Sequence, residues 1–255
     1  MPDSEPLWQP SNDRIAGSNL RRFMLSAEYR HNVEFSNYRD LHGWSVEHPS
    51  RFWRRLVEFS RLKADWGKRE LTNGDAMPGA IWFPEATLNF TENLLRRCDD
   101  SDAILFWAEG GLRQQLSWRE LHDRVAVLSN VLRESGIKPG DRIAGYMPNL
   151  PETIVWFLAT ASLGAIWSSC SPDFGAEGVL DRFGQIKPRL LVTCDGYFYN
   201  GARHDILPKL KNILRHLPTV EKCIVVPYAS KKPSLSALEN TVLLDDFLDG
   251  STETN

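Results

Sequence analysis

The second part of the chain alternates short apolar runs with longer amphipathic segments, and that pattern leaves few folds open. Ala103–Trp107, Asp141–Tyr146, Ala165–Ser169, Arg189–Cys194 and Lys222–Pro227 read as strands. Most are separated by helical stretches. Strands spaced this way imply βαβ units and a largely parallel sheet, so the fold class is α/β. Ser117-Trp118-Arg119-Glu120 forms a capping box, in which the Ser hydroxyl and the Glu carboxylate each reach the other's backbone amide. Leu121, Val125, Leu128 and Leu132 then recur on one face, Gly136 provides a left-handed stop, and Pro139-Gly140 closes the loop. Further helices are expected over 152–163, from the loop at Ser171-Pro172-Asp173 through Phe183, and over Asp205–Leu217. Glu109-Gly110-Gly111 is expected to turn the first strand back through Leu112–Leu116.

The first hundred residues lack this rhythm. Ser18–Tyr29 reads as a short helix with Leu20, Phe23, Met24 and Ala27 on one face. Pro49-Ser50 opens another, with Phe52, Trp53, Leu56, Val57 and Phe59 as its apolar positions. A third starts near Asn89 or Thr91. This region is expected to be a helical cap, residues 1–100, preceding a sheet-bearing domain over 101–255. The stretch from Ser230 to Asn255 turns polar and is expected to lack a closing element.

Of the 255 residues 42% are hydrophobic and 25% charged, which excludes disordered and low-complexity classes. Thirty Lys and Arg against 33 Asp and Glu leave no basic footprint, so neither nucleic acid nor a membrane is expected as partner. The most apolar stretch, Thr153–Trp167, is interrupted by Gly164 and is too short to span a bilayer. The N-terminus is acidic and Pro-rich, unlike a signal peptide. Cys98, Cys170, Cys194 and Cys223 form no C-x-x-C pair and read as reduced thiols, so a cytoplasmic location is expected.

Phosphate-loop, dinucleotide, nucleophile-elbow and zincin motifs are absent, and no two of the six His residues stand at metal-ligand spacing. No metal site is expected. Four stretches carry more information. Trp82-Phe83-Pro84 runs into Leu88-Asn89-Phe90 and a short helix. Gly140-Asp141-Arg142-Ile143 leads to Pro148-Asn149. Leu163 to Ser169 is followed by Ser171-Pro172-Asp173-Phe174-Gly175 at the carboxyl end of a strand, where open α/β sheets bind ligands. Asp195-Gly196 runs through Asn200-Gly201-Ala202-Arg203, after a strand and before a helix. Free amides at that helix start together with Arg203 would suit a phosphate.

Together these stretches resemble the adenylate-forming acyl-CoA synthetase superfamily. WFPEATLNFTENLL at 82–95 is similar to the N-terminal segment of the acetyl-CoA synthetase group. The run from Leu116 to Asn149 resembles the first block of the large domain. The run from Ser162 to Leu191, the blocks at 41–53, 225–228 and 243–248, and Tyr199-Asn200-Gly201 narrow the resemblance to its acetoacetate-activating branch. The resemblance implies that 101–255 is the N-terminal part of an AMP-binding large domain with an incomplete sheet.

It also implies a two-step ligation. Acetoacetate attacks the α-phosphorus of ATP with Mg2+, giving an acyl-adenylate and diphosphate; coenzyme A then displaces AMP to give acetoacetyl-CoA. The family's Ser/Thr/Gly-rich phosphate loop ending in Pro-Lys, its acyl pocket, its hinge and its catalytic Lys have no counterpart in this sequence. No catalytic residue is therefore assigned here, and the chain alone is expected to be inactive. Only the coenzyme A side carries over. Where acetyl-CoA synthetases have Arg-Gly-Gly-Arg beside that nucleotide, this chain has Asn200, Gly201, Ala202 and Arg203, keeping only the second Arg. Asp173, a poor neighbour for phosphate, reads as a helix cap. Two alternatives remain open on the sequence: a non-catalytic binding or interaction module, and a ligase for another short-chain acid.

Overall fold

The computed structural model describes residues 7–109 and 111–250. The expected turn residue Gly110, the first six residues of the acidic N-terminus and the Ser/Thr-rich end at 251–255 lie outside the described residues. The chain divides into two compact units, Met1–Leu88 and Asn89–Asn255.

In the first unit α1 (Asn12–Ala16), α2 (Asn19–His31), α3 (Tyr38–Glu47) and α4 (Pro49–Phe59) precede a small antiparallel pair, β1 (Leu71–Thr72) and β2 (Ile81–Trp82). Ser18 caps α2 by accepting from the Arg21 amide, and Asn37 caps α3 by accepting from Arg39 and Asp40. Phe23, Met24 and Ala27 of α2 join Phe35, Leu41 and Trp44 in a buried cluster. Phe52 and Phe59 meet Phe23 edge-on at 5.7 and 5.3 Å. Leu20, expected on the buried face, is instead exposed. Helix α3 was not anticipated, although Asn37 followed by Asp40, Leu41 and Trp44 spells a cap and an i, i+3 face.

The second unit begins with α5 (Phe90–Leu94). Its cap Asn89 accepts from the Glu92 amide and donates to the carbonyls of Ala161 and Ser162. Then come β3 (Asp102–Ala108), β4 (Gly111–Ser117) and α6 (Trp118–Glu134). Both halves of the Ser117–Glu120 capping box are present, and Gly136 has φ 76° as the stop requires. The βαβ rhythm follows: β5 (Arg142–Tyr146), α7 (Pro151–Ser162), β6 (Ile166–Cys170), α8 (Ala176–Ile186), β7 (Leu190–Cys194). After β7 come β8 (Gly196–Tyr199), β9 (Ala202–Asp205), α9 (Leu207–Arg215), β10 (Lys222–Val226), β11 (Thr241–Leu243) and α10 (Leu244–Leu248).

The parallel sheet has, among the described residues, the order β11-β10-β7-β5-β6. From β5 the chain crosses to β6 on one side; from β6 it returns past β5 to β7 and continues to β10. Right-handed crossovers therefore set α7 on one face and α8 and α9 on the other. Accordingly α6 packs on α7, and α8 on α9. The core lies between these layers, with Ile143, Tyr146, Leu158, Phe183, Leu191 and Ile224 fully buried. β6 is an outer strand with Ile166 exposed, as an incomplete sheet implies.

Three expectations need correction. The strand at 103–107 does not start the parallel sheet: β3 and β4 pair with each other as a separate antiparallel hairpin. The polar C-terminal stretch does contain closing elements, because β11 extends the sheet and α10 buries Phe247. The helix expected from Asp205 starts at Leu207, and the residues before it form the hairpin β8–β9.

Candidate functional site

The connections after β5 and β7 leave in opposite directions, so the carboxyl ends of these neighbouring strands form the switch point of the sheet. Thr193 at the end of β7 donates its hydroxyl to the Tyr146 carbonyl at the end of β5, 2.9 Å away. The buried Tyr146 hydroxyl lies 2.9 and 2.7 Å from the carbonyls of Pro172 and Phe174, anchoring the loop after β6. Burial pushes the Tyr146 phenol up to about 12, so it remains a proton donor to those carbonyls. Asp173 accepts from the Ser171 hydroxyl at 3.0 Å, and its negative charge adds to burial in pushing the Tyr197 phenol up. It does not cap α8: the cap position is Gly175, with no side-chain bond. Arg182 of α8 stacks over Phe174 at 4.2 Å.

Asp195, directly after β7, is buried and organises the other rim. Its Oδ1 accepts from the amides of Tyr228 and Ala229 at 2.7 and 2.9 Å, and its carbonyl accepts from Ile206. One carboxylate oxygen thus fixes the loop after β10 against the start of the β8–β9 hairpin. Gly196 must be glycine here, because a Cβ would come within 2.7 Å of the His204 carbonyl. Tyr228 meets Phe198 of β8 and Phe106 of β3 edge-on, at 5.8 and 6.2 Å. Burial pushes the neighbouring Cys194 thiol up to about 12, which leaves it inert as a nucleophile.

The structure brings Asn200, Gly201, Ala202 and Arg203 together on this hairpin, not at a helix start. Tyr199 pairs with Ala202, and Asn200 and Gly201 form the two-residue turn, both left-handed at φ 53° and 73°. Asn-Gly between Tyr-Phe-Tyr and Ala-Arg-His is a strong hairpin signal, and it prevails over helix formation at this point. Arg203 sits on β9. Its guanidinium pairs with Asp205 at 2.8 Å and its Nη1 donates to the Ala229 carbonyl. The Asn200 and Gly201 amides are not free, since both donate to the carboxylate of Glu109, between β3 and β4. Asp195 stood at the head of the stretch singled out from sequence and Glu109 in an expected turn, but their partners, and the part played by Tyr228, depend on contacts between distant loops and were not legible.

Among the described residues no group of three His, Cys, Asp or Glu side chains is placed to hold a metal ion, and no helix is long and apolar enough to cross a membrane.

Comparison with known proteins places this geometry in a family. Residues 90–247 match the model of the AMP-binding enzymes, and residues 38–94 that of the acetyl-coenzyme A synthetase N-terminus. The chain is 45% identical over 253 residues to an acetoacetyl-coenzyme A synthetase of Rhizobium meliloti, covering 98% of this chain and 38% of that protein. A malonamoyl-CoA synthetase of Penicillium aethiopicum is 36% identical over 230 residues, covering 87% of this chain and 32% of that one. The solved acetoacetyl-CoA synthetase of Streptomyces lividans superposes with a TM-score of 0.85 at 37% identity, covering 99% of this chain and 38% of the other. The chain thus spans about a third of the length of these relatives. With most of its length matched by the family model and its α/β fold shared with a solved relative, the chain belongs to the AMP-binding enzyme family.

Proposed function

We propose that this chain is part of an acid–thiol ligase that converts acetoacetate, ATP and coenzyme A to acetoacetyl-CoA, AMP and diphosphate. The observation that carries the reading is the 45% identity, across 98% of the chain, to an acetoacetyl-coenzyme A synthetase. Residues 1–100 act as cap and linker and 101–255 as the first part of the AMP-binding domain, working in the cytosol. Within that reaction the chain's own contribution is the coenzyme A side. Arg203, together with the Asn200-Gly201-Ala202 turn, meets a phosphate of that nucleotide. The Arg203–Asp205 pair supports this role: both side chains are about half exposed, so the pair is weak and exchangeable for a doubly charged phosphate. ATP and its Mg2+ are assigned to no residue of this chain, whose sequence has no Ser/Thr/Gly-rich loop ending in Pro-Lys. Magnesium, when bound with ATP, would neutralise charge on the transferred phosphate.

Arg203→Ala tests the assignment in a full-length ligase carrying this chain. The Michaelis constant for coenzyme A should rise on the order of tenfold, the value of one charge-assisted contact, with ATP–diphosphate exchange unchanged. Dephospho-coenzyme A should suffer little from the substitution. Equal discrimination against dephospho-coenzyme A in mutant and parent would remove Arg203 from that phosphate.

A second reading changes the acid. The malonamoyl-CoA synthetase relative favours a ligase for an amide of a short dicarboxylic acid. Comparing kcat/KM for acetoacetate and malonamate in the same full-length protein separates the two.

A further inference from the structure

We propose that the Asn200–Gly201 turn is an oxyanion site and that Glu109 is its built-in occupant, so that Glu109 and a phosphate monoester exclude one another there. The proposal rests on the coenzyme A reading for the identity of the phosphate, but the turn's affinity for anions has its own grounds. The β8–β9 ladder ends at the Tyr199–Ala202 pair, which leaves the two turn amides outside it. Successive amides in such a turn form a concavity that binds anions. Here an anion is already bound: one oxygen of Glu109 accepts from Asn200 and the other from Gly201, at 2.7 Å for the latter. Two oxygens on two successive amide donors is an arrangement that a phosphate can also supply.

Glu109 is tethered so that it can leave. Arg113 donates to its backbone carbonyl at 2.9 Å, which holds the main chain, while among the described residues no cation pairs with its carboxylate. Glu85 is a contrast. It also accepts from a backbone amide, that of Lys68, but its other oxygen is paired with the Arg69 guanidinium at 2.7 Å, a counter-charge that Glu109 lacks among the described residues. Arg203, two positions beyond the turn and exposed, adds a positive charge that favours a dianion over a carboxylate. A strut and a gate predict opposite signs. If Glu109 only braces the hairpin, its removal weakens anything that binds there. If it occupies the site, its removal strengthens binding of a phosphate.

The test uses the 255-residue chain and its Glu109→Gln, Glu109→Ala and Arg203→Ala variants, with amide NMR and titrations of coenzyme A, dephospho-coenzyme A and inorganic phosphate. Glu109→Gln keeps the shape and removes the charge. It should bind coenzyme A about fivefold more tightly or better, with no gain for dephospho-coenzyme A. The Asn200 and Gly201 resonances should move more on adding inorganic phosphate than they do in the parent. Equal or weaker coenzyme A binding by Glu109→Gln overturns the proposal, as does silence of both resonances toward inorganic phosphate; neither outcome requires Glu109→Ala to fold. If Arg203→Ala loses its preference for coenzyme A over dephospho-coenzyme A while Glu109→Gln gains nothing, the gate fails and the coenzyme A reading survives. If inorganic phosphate moves both resonances more in Glu109→Gln but no variant prefers coenzyme A, the oxyanion site stands and the coenzyme A reading fails.

Discussion

Gly145, in the middle of β5, shows how far a single residue can be read from sequence. As part of the run Asp141–Tyr146 it was legible as a strand residue, and so it is. Its reason for being glycine was not legible. A Cβ on Gly145 would lie 2.5 Å from the ring of Trp167, a residue of the neighbouring strand that lies across the glycine. The indole is rigid and packs against the core, so it cannot swing aside cheaply. Gly145→Ala should therefore lower stability by about 1–3 kcal/mol, as overpacking does, read as a lower urea midpoint with the slope unchanged. A midpoint equal to the parent's would mean that the ring yields freely. Asp195 and Glu109 are hidden for the same reason. Each carboxylate acts on amides far along the chain, and nothing in the neighbouring residues announces the partner.

At the scale of elements, the signals that were local were legible. The Ser117 capping box, the Gly136 stop and the Pro49 start of α4 all stand where the residues place them, and α7 starts at Pro151, one residue ahead of the expected helix. The β8–β9 hairpin was readable from Asn200-Gly201, but the strands around it are only four residues each, and a helix pattern just beyond it drew the boundary too early. Arg189 was invisible as anything but a charge. In the structure it ties together the amino ends of three adjacent strands. Its guanidinium meets Asp141 before β5 at 2.6 Å, Glu221 before β10 at 2.8 Å and the Gly136 carbonyl. Burial pushes the Asp141 carboxyl up, but the Lys138 amide and Arg189 outweigh it and hold it below its ordinary value. The Arg189 hydrogen bond does the same for Glu221 against a smaller burial effect. Both carboxylates are more acidic folded than unfolded, so their stabilisation is present above about pH 4 and is lost as pH falls through the lower folded values. The melting temperature should fall between pH 5 and 3, and Arg189→Met should flatten that fall while lowering the plateau. An identical slope in the mutant would place the acid sensitivity elsewhere.

At the scale of the whole molecule, the α/β class and the family were legible because long blocks recur in order, from the block at 41–53 to Leu243–Leu248. The division of labour in the proposed reaction follows from which chemistry those blocks contain. Adenylation needs a loop of small polar residues to wrap the phosphates and a cation on the transferring group. The sequence has one Pro-Lys pair, Pro208-Lys209. It lies in the first turn of α9, preceded by His204-Asp205-Ile206-Leu207, with no Ser, Thr or Gly to cradle a phosphate. The switch-point rim has Tyr146, Asp173, Asp195 and Tyr197, of which the two acids would repel a triphosphate. The 255-residue chain should therefore show no acetoacetate-dependent exchange of diphosphate into ATP above a protein-free control. It should nevertheless retain measurable, salt-sensitive binding of coenzyme A through the hairpin. Exchange by the purified chain would place adenylation chemistry on residues described here, and the assignment of only the coenzyme A side to this chain would then have to be abandoned.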